Sequence, residues 1–538
     1  MKTKASLFVM SLCLAAAFDG LCQETVFGLL KSEVKLADQY FREKNYQRAL
    51  DMYQHIAKKN SAADDIIAKT GRCYYFLKQY GQCTEAYEKH IKNGAILAPE
   101  DLYYYAEAQA GIADYKKAID YYRQYLDHSP GDLIMKKIWR LANVQFLYED
   151  SVHYAVRPVP LNTDYGDLCA VPFRKGLVFM SNRKEVQIVD KIDGSLNAPF
   201  YRIYYSRAVA DTAGNGIFHY EMPAHFSKEL SARFHAGPVT FYDHFRKMVF
   251  SSAGNKSGGI GKTLQLFFAE EHEGAWNVTR SFPYNNANYS ISDPAISEDG
   301  TILYFSSDMK GGHGGKDLYR CEYKNGQWTK PFNLGEPVNT PHDEVFPFLH
   351  MARTLYFSSN GHAGLGGLDI FKTEITAEGF DEPLNAGYPL NTNYDEFGIV
   401  IDSLEAHGYF SSNRKKGGYN DDIYEFDVDL QTYPLTINGL VRVKEHSWSD
   451  SSALTTMRNA KVHLIDNLRN VTVYETVSDT LGNFSITIPY FSKYKIRVTG
   501  EDNDENIVSL EISKHRKLHS IYEIVIIKDA FKTHENQE

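Results

Sequence analysis

Cysteine is scarce in this chain, with six in 538 residues. Two of them, Cys13 and Cys22, fall in an N-terminal leader, and the other four, Cys73, Cys83, Cys169 and Cys321, form no C-x-x-C pair. Neither a disulfide framework nor a cysteine metal site is expected, and the four read as small core residues. Basic charge is not in excess: 58 Lys and Arg stand against 68 Asp and Glu, which leaves no electrostatic footprint for nucleic acid. Beyond the leader no apolar run approaches the roughly 20 residues that a membrane-spanning helix needs. The histidines form no H-E-x-x-H pair, and no G-x-S-x-G nucleophile elbow occurs.

Two strings invite a ligand reading and fail on context. Residues 257–263, SGGIGKT, have Lys256 where a phosphate loop needs its first glycine, and run into a strand pattern rather than a helix. Residues 502–506, DNDEN, lead to Ile507 where a calcium loop turns on glycine and to Ser513 where it needs a bidentate glutamate. A solvated hairpin tip is the expected form. No cofactor, metal ion or catalytic residue is expected, and the chain is read as not an enzyme.

The leader is MKTKASLFVMSLCLAAAFDGLCQE: two lysines, an apolar run from Ala5 to Phe18, then Gly20 and Cys22 at the positions of small residues before a cut at Gln23. Residues 1–22 are read as a secretory signal peptide, so the expected location is the periplasm. A lipoprotein acylated on Cys22 is the rival reading. Its motif wants Leu three positions before the cysteine and a small residue just before it, where Asp19 and Leu21 stand.

What the chain has in abundance is repetition. Residues 247–270, 301–322, 354–374 and 407–427 each run an apolar strand into Phe-Ser-Ser, then a glycine-rich turn, then a second strand. The phenylalanines, Phe250, Phe305, Phe357 and Phe410, are spaced by 55, 52 and 53 residues. A period near 50 built from short strands implies a β-propeller, because one four-stranded blade can bury neither face alone. A weaker copy at residues 177–183, LVFMSNR, gives five blades, with six as the alternative count. A second signature, LNTDYGD at 161–167, VNTPHDE at 338–344 and LNTNYDE at 390–396, precedes the strand expected nearest the axis. Residues 152–160 are expected to supply the outer strand of the last blade and close the ring.

Upstream the pattern turns helical. Ala37, Tyr40, Tyr46, Ala49 and Tyr53 are matched 34 residues on by Gly71, Tyr74, Tyr80, Cys83 and Tyr87, then by Ala106, Gln109, Tyr115, Ala118 and Tyr122. Ala37, Ala49, Gly71, Cys83, Ala106 and Ala118 are the expected packing positions, small where paired helices approach closely. The unit resembles the tetratricopeptide repeat (TPR), which implies an α-solenoid with a concave protein-binding face, or else a spacer. Downstream of 433, alternating strands at 435–445, 459–465, 477–486 and 494–498 indicate a small β-sandwich, and their order resembles the carboxypeptidase regulatory-like, transthyretin-like domain. The expected fold class is thus a multidomain α plus β chain. Its parts are a leader at 1–22, TPR-like repeats at 23–150, a propeller at 151–432 and a sandwich at 433–538.

The blade loops are the only candidate ligand positions. Gly311, Gly312, Gly314, Gly315 and Asp317 recur as Gly364, Gly366, Gly367 and Asp369, with Asp422 in the last copy. Glycine permits close backbone approach and the aspartate can cap the turn. A structural turn is the first reading and a weak cation or ligand site the second.

The blade motif resembles the WD40-like, or PD40, repeats of the TolB propeller, carried by Tyr356-Phe-Ser-Ser-Asn360 with Asp369-Ile-Phe371 and Tyr409-Phe-Ser-Ser-Asn413 with Asp422-Ile-Tyr424. The order of modules is similar to that of PorE-type proteins of Bacteroidetes. That resemblance implies a periplasmic scaffold at the outer membrane, associated with type IX secretion and gliding, whose partners are envelope proteins. Such proteins usually continue into an OmpA-like domain that holds peptidoglycan. Nothing after Ile527 supplies it, so direct peptidoglycan binding is not expected. The alternative function is a propeller that binds, or hydrolyses, a glycan or peptide.

Overall fold

The computed structural model describes residues 33–59, 64–148, 151–184, 192–193, 198–210, 218–227, 230, 235–253, 263–418, 420–429, 435–445, 455–467, 469–489, 492–500, 505–510 and 521–528. The leader with Cys22, the glycines of the 257–263 string and most of 502–506 lie outside these residues.

Seven α-helices are described at the N-terminal side: α1 (Glu33–Arg42), α2 (Tyr46–Lys59), α3 (Asp64–Phe76), α4 (Tyr80–Lys92), α5 (Pro99–Gly111), α6 (Tyr115–Leu126) and α7 (Asp132–Ala142). The first six form three hairpins. Their tight turns place Lys44, Lys78 and Ala113 at φ of 60°, 60° and 61°. Ala37, Ala49, Cys83, Ala106 and Ala118 are fully buried where the helices meet, and a Cβ on Gly71 would stand 3.0 Å from the Tyr87 ring. The buried tyrosines need partners for their hydroxyls. Tyr53 donates to Asp38, Tyr87 to Asp101 and Tyr122 to Glu107, at 2.6, 2.9 and 2.5 Å.

Five antiparallel sheets follow as blades. Their inner strands are Asp167–Phe173, Ala236–Tyr242, Ile291–Ile296, Glu344–His350 and Glu396–Ile401. The last blade takes Tyr154–Pro158 as its outer strand, beside Asp422–Val428. The repeated motifs each hold the ring together. Phe250, Phe305, Phe357 and Phe410 fill the space between sheets, at most 3% exposed. The asparagines of the LNT signature clip the third strand of one blade to the linker leading to the next. Asn339 brackets Leu318 through its backbone N–H and C=O (2.9 and 3.0 Å), Asn391 brackets Ile370 (2.7 and 2.8 Å) and Asn162 brackets Ile423 (2.8 and 2.8 Å).

The fold class expected from sequence needs correction. The helices do not stand apart as a solenoid domain. The described residues of Met1–Ser151 and Val156–Phe426 make one compact unit, in which the helices are seated on the ring. Lys137 of α7 donates to the Asn360 carbonyl at 3.0 Å, Asn393 Nδ2 to the Gly111 carbonyl at 2.5 Å and the Tyr388 N–H to the Leu147 carbonyl at 2.7 Å. Tyr103 of α5 stacks on His342. These contacts turn the helical hairpins into a cap on one end of a mainly β structure. Five blades are present among the described residues.

The second unit takes the described residues of Val152–Ala155 and Asp427–Glu538. Two four-stranded sheets enclose a core of Ile437, Val441, Val462, Leu464, Ile486, Ile496 and Val498. Among the described residues no helix is long and apolar enough to cross a membrane.

Candidate functional site

Every inner strand breaks register with its neighbour near its start. The interruptions fall at Cys169-Ala170, Gly237-Pro238, Asp293-Pro294, Phe346-Pro347 and Gly398-Ile399. Each is a β-bulge, which re-aims the chain and sharpens its twist. Cys169, Asp293, Phe346 and Gly398 sit at φ of 52°, 55°, 51° and 64°. For the three that are not glycine this backbone is strained by roughly 1–3 kcal/mol each, and such strain concentrates at functional sites. The bulges are tied across blade boundaries. The Cys169 N–H donates to Ser411 Oγ (2.8 Å) and the Asp293 N–H to Ser251 Oγ (3.2 Å), so the first serine of Phe-Ser-Ser serves the following blade.

All five inner strands converge on an axial cavity of about 390 Å³. The bulges contribute Cys169, Pro238, Asp293, Phe346 and Gly398; Val171, Val239, Ala295, Phe348, Ile399 and Val400 form its walls; Phe245, Glu298, Met351 and Ala352 stand at the hairpin ends of the strands. The lining is mainly apolar and aromatic. The hairpin tips on that end also expose Phe245, Met351 and Leu404 to 41%, 68% and 69%, an apolar rim around the axis. The helical cap contacts the linkers and loops at the opposite ends of the strands, where Asn360, Asn393 and His342 lie. Asp293 is the carboxylate set deepest in the lining. Its Oδ2 accepts from Ser306 Oγ (2.5 Å) and Ser292 Oγ (3.1 Å).

A second layer of carboxylates surrounds the inner strands without entering the cavity. Asp167, Glu344 and Glu396 each accept from the threonine four residues earlier, through both its N–H and its hydroxyl. Glu344 and Glu396 also accept from the second serine of Phe-Ser-Ser, Ser359 at 2.7 Å and Ser412 at 2.8 Å. Arg183 and Arg414 pair with Asp167 and Glu396 at 2.8 and 3.1 Å. Among the described residues Glu344 pairs with no arginine, and burial pushes its pKa up to about 7 against the hydrogen bonds it accepts. Burial raises that of Glu396 too, with Arg414 opposing.

The glycine-rich loops anticipated from sequence lie at the capped end, and none of their candidate residues lines the axial cavity. Asp317 accepts the N–H groups of His313 and Gly314 and the Asn333 amide, at 2.6, 3.1 and 2.7 Å. Asp369 repeats this with Leu365, Gly366 and Asn385, at 2.5, 3.1 and 2.9 Å. Burial and then the neighbouring Glu396 push the Asp369 pKa up to about 7, while its three N–H donors pull the other way. Asp422 is buried at the same place in the last blade. Gly312 and Gly364 are pressed against the aspartates: a Cβ would stand 2.0 and 1.9 Å from their Oδ2 atoms. Gly314 and Gly366 lie against the Thr340 and Tyr394 carbonyls, Gly315 and Gly367 against Asp343 and Asp395, and Gly311 turns at φ 92°. The aspartate oxygens are thus occupied by donors from their own loops. No group of three or more His, Cys, Asp or Glu arranged to hold a metal ion is found among the described residues.

Sequence reasoning missed the bulges and the cavity. The one available signal was the proline at the second position of the bulge, at Pro238, Pro294 and Pro347, since proline inside a strand marks an edge or a bulge. It also missed Lys78 and Lys137, which hold the helical cap. Lys137 Nζ lies 2.7 Å from Glu107 and both side chains are 7% exposed. Burial opposes the Glu107 charge, but Lys137 and the Tyr122 hydroxyl outweigh it and keep the pKa below its usual value.

The chain matches no protein-family model and no curated protein. Among solved structures it is similar to a GH43 β-xylosidase/α-arabinofuranosidase from a compost microbial metagenome (11% identity, 56% of this chain and 98% of that one, TM-score 0.33). It is also similar to a GH43_1 enzyme from Xanthomonas citri (13%, 59% and 96%, TM-score 0.33) and to an exo-β-1,3-galactanase from Clostridium thermocellum (11%, 64% and 87%, TM-score 0.31). These neighbours are enzymes, so the expectation that the chain is not one is withdrawn. At these TM-scores the likeness assigns neither an activity nor a catalytic residue to this chain.

Proposed function

We propose that this protein is a binding module whose axial cavity takes apolar or aromatic side chains of a peptide segment. The observation that carries the reading is the cavity itself: about 390 Å³, walled by Val239, Ala295, Phe348 and Ile399 and rimmed by exposed Phe245 and Met351. That volume falls in the range of about 300–1,000 Å³ typical of small-ligand sites, which are apolar with a few placed polar groups. Exposed apolar residues gathered around one opening mark an interaction site rather than ordinary surface. The resemblance to PorE-type proteins, together with the leader, supports a location in the periplasm and an envelope protein, such as a type IX secretion component, as the owner of the peptide.

A glycan is the second reading, favoured by the two carboxylates, Asp293 and Glu298, in an aromatic lining. They sit five residues apart, on and just past one strand that carries the bulge at Asp293. Calorimetric titration with a panel of aromatic-rich peptides and oligosaccharides tests both readings. Binding of peptides that is lost in Ala295→Phe, which fills the cavity wall, supports the proposal. Binding that persists in that variant places the site elsewhere, and release of sugar or cleaved peptide during the titration makes the chain a hydrolase.

A further inference from the structure

One contact in this molecule occurs once complete and once as two separate halves. The complete form joins the α3–α4 turn to the ring. Lys78 stands in the left-handed region, its N–H bonded to the Tyr75 carbonyl and that of Gln79 to the Tyr74 carbonyl, both at 2.9 Å. Its ammonium reaches Asp395 Oδ1 at 3.3 Å. The seat is a glycine loop: the Gly367 N–H donates to the Tyr394 carbonyl (3.1 Å), and the Leu368 N–H to Asp395 Oδ1 (2.8 Å). A Cβ on Gly367 would come within 2.9 Å of the Tyr80 hydroxyl, and one on Gly418 within 2.4 Å of the Lys78 carbonyl. Gly367 is buried, with the Tyr80 hydroxyl and the Lys78 ammonium beside it.

The same seat is built one blade earlier and left open at its glycine loop, although Tyr103 of α5 stacks on His342 and Lys137 of α7 bonds the Asn360 carbonyl beside it. The Gly315 N–H donates to the His342 carbonyl (2.9 Å) and the Lys316 N–H to Asp343 Oδ1 (2.8 Å). The Asp343 N–H bonds Asn360 Oδ1 at 2.9 Å, as that of Asp395 bonds Asn413 Oδ1 at 3.0 Å. Residues 311–315 are all exposed, and among the described residues Asp343 has no cationic partner.

The matching turn is also present and also open. Between α1 and α2, Lys44 adopts the same left-handed conformation, with its N–H on the Phe41 carbonyl (3.0 Å) and the Asn45 N–H on the Tyr40 carbonyl (2.9 Å). Tyr46 follows, as Tyr80 follows Gln79. Lys44 is exposed and has no acidic partner among the described residues. The turn itself does not require lysine, because Ala113 adopts the same φ in the third hairpin.

We infer that the exposed seat at Gly315 and Asp343 takes the Lys44 turn of a second copy of this chain. The contact repeats, between molecules, the one Lys78 makes within a molecule. Each copy offers one turn and one seat, so the association is head-to-tail and heterologous, and it grows beyond a dimer.

Sedimentation velocity of the full-length chain between about 10 μM and 1 mM, the range for one modest contact, tests this. Wild type should gain mass with concentration through dimer and longer species. Lys44→Glu, a surface change, and Asp343→Asn, which keeps an oxygen for the Lys316 N–H, should each remain monomeric. Mixed in equal amounts they should form a 1:1 dimer and nothing longer, because one supplies the intact seat and the other the intact turn. A wild type that stays monomeric throughout, a Lys44→Glu chain that assembles like wild type, or a mixture that stays monomeric would each overturn the inference.

Discussion

Replacing Lys137 with methionine leaves the Glu107 carboxylate buried with tyrosine hydroxyls, those of Tyr122 and Tyr103, as its remaining donors. The pair is 2.7 Å long with both side chains 7% exposed, and the same ammonium also serves the Asn360 carbonyl of the ring. Removing one partner of such a pair costs about 3–5 kcal/mol, because the desolvated charge is left uncompensated. Lys137→Met should therefore lower the urea midpoint of the helix-and-ring unit at unchanged m-value. The loss should depend on pH. With lysine gone, burial sets the Glu107 pKa above its unfolded value, so the penalty is fully present at pH 8 and shrinks as pH falls toward 4.5. Glu107→Gln combined with Lys137→Met should recover most of the stability by removing the orphaned charge. A cost below about 1 kcal/mol, as for an exposed pair, or a penalty equal at pH 8 and 4.5, would refute the reasoning.

Further consequences concern the ring. Asp369 and Glu344 have folded-state pKa values pushed up to about 7, so their protonated forms favour folding; that contribution is complete below about pH 4 and is lost as pH rises through 7. Stability should accordingly fall between pH 4.5 and 7.5, with a shallower slope in Asp369→Asn, whose absolute stability drops because its amide faces N–H donors; a chevron series across pH reads both. Gly418→Val should expel the Lys78 turn, since a Cβ there meets the Lys78 carbonyl at 2.4 Å. Trypsin should then cut after Lys78, which it should spare in wild type, while Gly417→Asn, in open space at φ 63°, should leave the protection intact.

The ring was legible because its signals are local and each blade needs them. The buried phenylalanine, the two serines with distinct bonding duties and the clipping asparagine recur at fixed offsets, and physics repeats them for the same reason each time. The cap was not legible as a cap. Its helices and small packing residues could be read from their own spacing, but Lys78 and Lys137 look like ordinary solvated lysines until Asp395, Glu107 and Asn360 are brought to them from 30 to more than 300 positions away. The axial cavity was hidden for a related reason. Its walls come one strand at a time from Cys169 to Val400, and no single stretch contains a motif. Of the five bulges, those at Cys169 and Gly398 lack even the following proline, so only the pairing register reveals them.

The most direct test of the central claim is the methyl NMR spectrum of protein labelled at methionine, because Met351 stands at the cavity mouth, 68% exposed. Its resonance can be assigned by Met351→Leu. On titration with a peptide that binds in calorimetry, the Met351 signal should shift and saturate at the stoichiometry of binding, and the shift should vanish in Ala295→Phe. A peptide that binds with full heat while Met351 stays unmoved would contradict the axial site.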